Sequence, residues 1–277
     1  MAAIESVNVW IMSLPLDLYG MRKFTGGIVV PTLGTRPEYL RRCLTSIRAS
    51  GDVLIHIVAP SSVDLASVIE PDLFDAVIDD PGLGLAAAID AGLRSFPDSV
   101  VHINWLGDDD ELVAGALHRT MSVLENDSRI ALVYGGCEYI DGVGKRLWIN
   151  KSGKYAKYLM RFGPQLIPQP GALFRRDAYE QIGGLDSRHK WAFDLDLLIR
   201  LSRVGTLHFL PTTLGRFRWH EGSLSVGGRQ GSVREASEIR ISALPAVVRV
   251  FAPLWEKPIR WAIMRAGKRL TSRSKIS

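Results

Sequence analysis

Asn104-Trp105-Leu106-Gly107-Asp108-Asp109-Asp110-Glu111-Leu112 is the stretch on which the reading of this chain turns. An apolar run from Val100 to Leu106 stops at a glycine and three consecutive aspartates. A short apolar run bounded in this way reads as a buried strand. A buried strand ending in carboxylates delivers them to the carboxyl edge of a sheet, where open α/β folds bind ligands. Three adjacent carboxylates repel one another, so the folded chain needs a neutralising partner. A divalent cation with oxygen ligands, bridging to phosphate, fits that need. A solvated acidic turn is the plainer alternative.

The flanking sequence supplies more strands and helices in alternation. Gly27 to Thr32 reads as a buried strand followed by a Leu33-Gly34 loop. Thr35 and Glu38 have the spacing of a capping box, with Pro37 tolerated in the first turn. Leu40, Cys43, Leu44 and Ile47 then fall on one helical face. Further strands are expected over Val53–Val58 and Phe74–Ile78, with a short helix over Asp64–Ile69 and an amphipathic one over Leu85–Leu93. This regularity predicts a mainly parallel, right-handed α/β sheet flanked by helices. Beyond the acidic triplet, helices are expected over Leu112–Leu124, Asp177–Ile182 and Trp191–Arg203. Strands are expected at Ile130–Val133, Thr206–Leu210 and Leu214–Trp219, with a hairpin over Glu138–Trp148 turning at Asp141-Gly142. Residues 1–24 read as an N-terminal extension, 25–228 as the main domain and 229–277 as basic amphipathic helices. The main domain divides into a nucleotide-binding half, 25–112, and an acceptor half, 113–228.

At 277 residues and 30.6 kDa the chain can bury a full core. Cys43 and Cys137 form no ligand pattern and read as reduced packing residues of a cytosolic protein. The net charge of +5 is unevenly placed. From Arg229 onward eleven lysines and arginines face three acids, a surplus of eight, and the remainder is at −3. Tryptophans and aliphatics interleave with those cations from Val247 to Met264. A basic helix bearing tryptophans suits an anionic membrane interface, and packing on the body with a solvated basic face is the alternative. Glu5 precedes the first apolar stretch, no basic leader segment is evident, and no uncharged apolar run approaches the ~20 residues that span a bilayer. The expectation is a cytoplasmic protein, peripheral at the inner face of the cell membrane.

Five blocks in order resemble glycosyltransferase family 2, the inverting transferases of the GT-A (Rossmann-like) fold. They are Ile28-Val29-Val30-Pro31-Thr32 with Arg36, Asp80-Pro81-Gly82-Leu83-Gly84 through Gly92, the acidic triplet, Gly183-Gly184-Leu185-Asp186 followed by Phe193-Asp194-Leu195-Asp196 through Arg200, and Phe217-Arg218-Trp219-His220 with Ser223 and Ser225. The resemblance spans about Gly27 to Ser225. This chain has Ala59-Pro60-Ser61-Ser62 where the family commonly has an Asp-Asp-Gly-Ser pattern. It has Gly107 in place of the first aspartate of the acidic motif and Asp90 in place of an asparagine.

The resemblance implies a metal-dependent transfer of a sugar from a nucleotide diphosphate to a hydroxyl of a glycan or glycolipid precursor. Charge develops on the leaving diphosphate, and Mn²⁺ or Mg²⁺ neutralises it. Asp110 and Asp108 are the expected metal ligands, with His220 as a metal or diphosphate contact. Asp109 is expected at the ribose or the metal. Pro31, Thr32, Arg36, Gly84 and Asp90 are expected around a UDP-, dTDP- or GDP-sugar, with Asp79 or Asp80 replacing the missing base-reading aspartate. Inverting transfer needs one general base, and Asp194 is assigned that role. Asp196 lies ~200° around the helix from it and is expected to pair with Arg200. Gln169, Arg175 and Trp191 are assigned to the acceptor side.

Other readings compete. Gly82 and Gly84 lack the third glycine of a dinucleotide loop and follow the wrong strand. Leu33-Gly34-Thr35-Arg36 is too short for the triphosphate loop of a sugar-phosphate nucleotidyltransferase. A non-catalytic nucleotide-sugar-binding scaffold keeps the fold without turnover. Nucleic-acid binding by the basic segment is a weaker alternative.

Overall fold

The computed structural model describes residues 9–10, 24–150, 153–220, 222 and 228–274. Most of the expected N-terminal extension lies outside the described residues, as do Ser223 and Ser225. Within 1–24, β1 (Val9–Trp10) pairs antiparallel with β4 (Ala76–Asp79) at the sheet edge.

The centre of the sheet is parallel. β2 (Gly26–Pro31) lies between β3 (Leu54–Ala59) and β5 (His102–Trp105), and β3 is followed by β4. These strands read as apolar because both faces are covered. Alternate residues of β2 feed two cores: Ile28 and Val30 pack on one side with Leu40, Leu44 and Ile47, and Val29 on the other with Ile89 and Leu93. The first set sits on α1 (Pro37–Ser50) and the second on α2 (Leu85–Arg94), each helix burying one stripe. Cys43 and Cys137 are buried and unbridged.

Past β5 the sheet changes character. It continues through β9 (Leu173–Arg175), β7 (Ile130–Ile140) and β10 (Thr206–Arg218) to β6 (Glu111–Leu112). β9 is antiparallel to both neighbours, β7 and β10 are parallel, and β6 runs antiparallel to β10. β8 (Arg146–Asn150) forms the expected hairpin with β7 through the Asp141-Gly142 turn. The mainly parallel α/β sheet is as expected.

Four local expectations are corrected. Thr35 does not cap α1: Arg36 holds the cap position, with no side-chain hydrogen bond there. The helix expected from Leu112 is α3 (Ala116–Asn126), because Glu111 and Leu112 are pulled into β6 by Arg216 and Gly215. Gly115, at φ 69°, then turns the chain into α3. Ile130–Val133 and the first hairpin arm form the single strand β7. The two strands expected over 206–219 form the bulged strand β10.

The remaining helices are α4 (Ala156–Leu159), α5 (Arg176–Gln181), α6 (Phe193–Val204), α7 (Arg229–Ala243), α8 (Ala246–Arg249) and α9 (Pro253–Ser274). No helix among the described residues is long and apolar enough to cross a membrane.

One close approach fixes the loop before β9 against β10. Gly171 has φ 83°, and a Cβ there would meet backbone of Leu214 at 2.7 Å. Gly215 faces the same loop, where a Cβ would meet the Pro170 carbonyl oxygen at 2.6 Å. Gly171→Ala adds strain and overlap together, each costing about 1–3 kcal/mol. The melting temperature is expected to fall by roughly 4–10 °C; an unchanged melt would show that the loop moves freely off β10.

Candidate active site

The strand order reverses at β2 and β5: β2 leads by α1 to β3 on one side, while β5 begins the half that extends to β6. Such switch points open a crevice at the carboxyl ends of the strands. Here the crevice holds Thr32, just after β2, and Asp108, three residues past β5. The Thr32 hydroxyl donates to Asp108 Oδ2 at 2.6 Å. Arg36, at the head of α1, reaches across: Nη2 donates to Asp108 Oδ1 at 2.6 Å and Nη1 to Asp109 Oδ2 at 2.8 Å. His220 Nε2 lies 2.8 Å from the same Asp109 oxygen and 3.1 Å from Arg36 Nη1. It donates to the carboxylate when protonated there and accepts from the guanidinium when not.

Behind these groups is Arg218, the last residue of β10, with no exposed surface. Its backbone N–H donates to Asp110 Oδ1 at 2.9 Å, and Nε donates to the Asp109 carbonyl at 2.8 Å. Nη1 donates to the carbonyls of Asp141 and Gly142, and Nη2 pairs with Glu111. The guanidinium lies 4.7 Å from the centre of the Tyr39 ring, whose hydroxyl also donates to Gly142. The hairpin turn, α1, β6 and the acidic loop therefore meet on one side chain.

The carboxylates are not equivalent. Burial pushes the Asp110 carboxyl well above its ordinary range, and the neighbouring Asp109 charge adds to this. Burial also raises Asp108, against the pull of Thr32 and Arg36. At Asp109 burial is outweighed by the His220 hydrogen bond and the Arg36 charge, so it stays below its ordinary range. Over Gly107, Asp109 Oδ1 and Asp110 Oδ2 converge: a Cβ there would sit 3.0 Å and 3.2 Å from them. Excess buried negative charge, with two carboxylate oxygens turned toward one point, fits a divalent cation. A tighter cluster of ligand atoms among the described residues is Asp186, His189 and Asp196. There Arg188 already pairs with Asp186, and Arg200 with Asp196.

Asp194 lies in the first turn of α6. It lines a small cleft with Asn104, Trp105, Pro168, Gln169 and Leu197. Gln165 donates to its Oδ2 at 2.8 Å and the Leu195 N–H to its Oδ1 at 2.8 Å. Burial nevertheless raises its pKa, and the charge of Glu235 adds to the rise. Gln169 is tied to β5 by hydrogen bonds to Asn104 Oδ1 at 3.2 Å and the Trp105 carbonyl at 2.5 Å. Asp196 pairs with Arg200, as the helical spacing predicts.

The fold recurs among solved structures. A mannosyltransferase from Pyrobaculum calidifontis, in complex with GDP-Man and Mn²⁺, superposes with a TM-score of 0.59 at 14% identity, over 90% of this chain and 76% of that one. TarS of S. aureus superposes with TM-scores of 0.53 and 0.57 in two structures, at 10% identity over 82% of this chain. The match covers 68% of the shorter TarS chain and 41% of the longer. This is a glycosyltransferase fold. No family model matches the chain, and no curated protein matches it in sequence.

The other sequence candidates have varied placements. Pro31, Asp79 and Asp80 stand at the carboxyl edge on β2 and β4, with Asp80 Oδ1 accepting the Gly82 N–H at 2.9 Å. Gly84, at φ 98°, caps α2 with open space above its Cα. Asp90 bonds Arg94 at 2.7 Å and the Tyr179 hydroxyl, tying α2 to the Gly183-Gly184 turn. Trp191 packs its ring against Gly231 of α7. Arg175 is corrected. It pairs with His102 at the amino end of β5 and gives its guanidinium to the carbonyls of Leu124, Asp127 and Ile130, on the edge away from the acids.

Three residues that the sequence reading left without a role belong to the site. Arg218 stood in the quoted motif, but its burial had no local signal. Gln165 is fixed by a loop that periodicity does not describe. Glu235 of α7 accepts the N–H groups of Lys190, Trp191 and Ala192 at 2.6–2.8 Å, capping the helix that carries Asp194.

Arg218→Met leaves Glu111 and the Asp109 and Gly142 carbonyls facing an apolar side chain. Breaking a buried pair from one side costs roughly 3–5 kcal/mol, to be read as a lower midpoint of urea unfolding. A loss below about 1 kcal/mol would show that the charge is not a keystone.

Proposed function

We propose that this chain is an inverting glycosyltransferase that moves a sugar from a nucleotide diphosphate to a hydroxyl of a glycan or lipid-linked glycan precursor, at the cytoplasmic face of the membrane. The observation that carries this reading is the path of one strand. β5 lines the Asp194 cleft with Asn104 and Trp105 and three residues later delivers Asp108 to the crevice beside Thr32. A donor lying across the end of β5 would have its diphosphate at the acids and its sugar toward Asp194.

Asp110 and Asp109, whose Oδ2 and Oδ1 turn toward one point over Gly107, would hold Mn²⁺ or Mg²⁺, with Asp108 and His220 beside them; the metal would neutralise the charge developing on the departing diphosphate. The protein supplies the rest. The acceptor oxygen attacks the anomeric carbon, the bond from that carbon to the diphosphate oxygen breaks with its electron pair, and Asp194 Oδ takes the hydroxyl proton. Gln165 and the Leu195 N–H aim the carboxylate, and Gln169 fixes the wall opposite. Burial makes Asp194 a stronger base than an exposed aspartate, which favours proton transfer near neutral pH. Asp79 or Asp80, at the end of β4, is assigned to the nucleotide base, with Pro31, Thr32, Arg36 and Gly84 around the diphosphate.

A base must be ionised to act, and the pKa of Asp194 is raised. Its contribution is therefore present above the raised pKa and lost as pH falls through it. The acid limb of kcat/KM is expected at a pH above the ~4 of an ordinary aspartate, with the raised carboxyls of Asp108 and Asp110 adding to it where the metal must bind. A limb at or below ~4 would remove Asp194 from the role. Asp194→Asn is expected to abolish turnover while leaving donor binding intact.

Thermal shift tests the donor site directly, since a ligand that binds only the folded state raises the melting temperature. UDP-, GDP- and dTDP-sugars would be screened with and without Mn²⁺. One nucleotide class is expected to stabilise the protein more with metal, and Asp110→Asn to lose the metal-dependent part. Arg36 already occupies one oxygen of Asp108 and one of Asp109, which favours a second reading as a non-catalytic nucleotide-sugar-binding protein. Donor stabilisation without turnover across a range of acceptors would select that reading, and no stabilisation by any donor would remove both.

A further inference from the structure

The segment after α7 buries a charge and leaves part of its apolar surface outward. Glu256 of α9 points inward, 4% exposed, and pairs with Arg240 at 2.7 and 2.8 Å and with Ser237. That ion pair fastens α9 to α7, while apolar side chains face out. Val247, Val250, Phe251 and Leu254 are 56–78% exposed and fall at i, i+3, i+4 and i+7. Trp261, two turns further on, is 63% exposed, with Arg265 over its ring.

A second stripe with the same spacing comes from the turns around α4. Tyr155, Tyr158, Leu159 and Phe162 are 48–63% exposed. Phe162 of this second stripe lies against Trp255, the half-buried neighbour of Leu254 on α9, with the two rings 6.1 Å apart. Cations frame both. Arg249, Lys257, Arg260 and Arg265 are exposed around the first, and Lys154 and Lys157 lie over Tyr155 and Tyr158 in the second. The sequence has no acid between Gly142 and Arg176, and none after Glu256.

We propose that these two stripes form one docking surface for an anionic lipid bilayer. Apolar side chains left in water at helical spacing need a cover. Aromatic and aliphatic tips ringed by lysine and arginine suit the headgroup region. A second copy of the chain is disfavoured as the cover, because its matching face would carry the same uncompensated positive charge. Phe162 is three residues from Gln165, the partner of Asp194, so the surface borders the acceptor cleft. On the reading of Asp194 as the base, a bilayer docked here would present a lipid-linked acceptor at the cleft mouth.

The test is co-sedimentation of the full chain with vesicles of phosphatidylcholine alone or mixed with phosphatidylglycerol, in the absence of any sugar nucleotide. Binding is expected only to the mixed vesicles and to weaken with salt. Lys257→Gln with Arg265→Gln is expected to lower the partition coefficient roughly thirtyfold. Leu254→Glu and Tyr158→Glu are each expected to lower it at least about tenfold. All four side chains are exposed, so the melting curves should not move. No binding to the mixed vesicles, equal binding to both kinds, or full binding by the substituted chains would overturn the proposal. So would a wild-type dimer in light scattering that Leu254→Glu dissociates. Donor thermal shift is read without lipid, so the docking surface and the transferase reading fail separately.

Discussion

Arg218 carries a full positive charge where water does not reach, and the arrangement around it follows from that fact. Removing a guanidinium from water costs several kcal/mol, repaid only if its donors find acceptors and an opposite charge lies close. The acceptors come from separated places: Glu111 from β6, the Asp109 carbonyl from the acidic loop, and Asp141 and Gly142 from the hairpin turn. Tyr39 closes one face. Satisfying this one side chain fixes the loop of aspartates in space. The backbone N–H of the same residue then holds Asp110.

The acidic loop is charged beyond what its arginines offset. Asp110 is buried beside Asp109; burial first, and then the Asp109 charge, pushes its carboxyl well above the ordinary range. Arg36 and His220 compete for one oxygen of Asp109, so their arrangement is settled by where the imidazole proton resides. The cleft around Asp194 has the opposite character. It is walled by Trp105, Leu197 and Leu198, with a single carboxyl whose oxygens are aimed by Gln165 and the Leu195 N–H. The same strand, β5, thus lines the apolar cleft with Trp105 and leads into the ionic loop three residues later.

What could be read from the sequence was set by period and by abrupt changes of polarity. The apolar run into Asp108, the stripe of Leu40, Cys43, Leu44 and Ile47, and the Asp196–Arg200 spacing each express a local geometry, and each is found. Contacts made by distant residues were not legible. β6 is two residues long and exists because β10 recruits it, so Leu112 reads as the start of a helix. Thr35 has the right chemistry for a cap, but the helix starts from Arg36. Arg175 has an acceptor-side residue's chemistry, yet strand direction puts it at the other edge. Glu235 lies more than forty residues from the amides it holds, and no spacing rule connects them.

Composition marks a boundary near residue 228, where the basic helices begin, but the chain does not come apart there. The carboxylate on α7 that caps α6 belongs to the helical segment, and the amides it binds belong to the body. Trp191 wedged against Gly231 is a second stitch across the same line. The segment is therefore not an interchangeable module. Exchanging it between related chains would carry away the cap of the helix that bears Asp194, so changes to the basic segment and the setting of that carboxyl are inherited together.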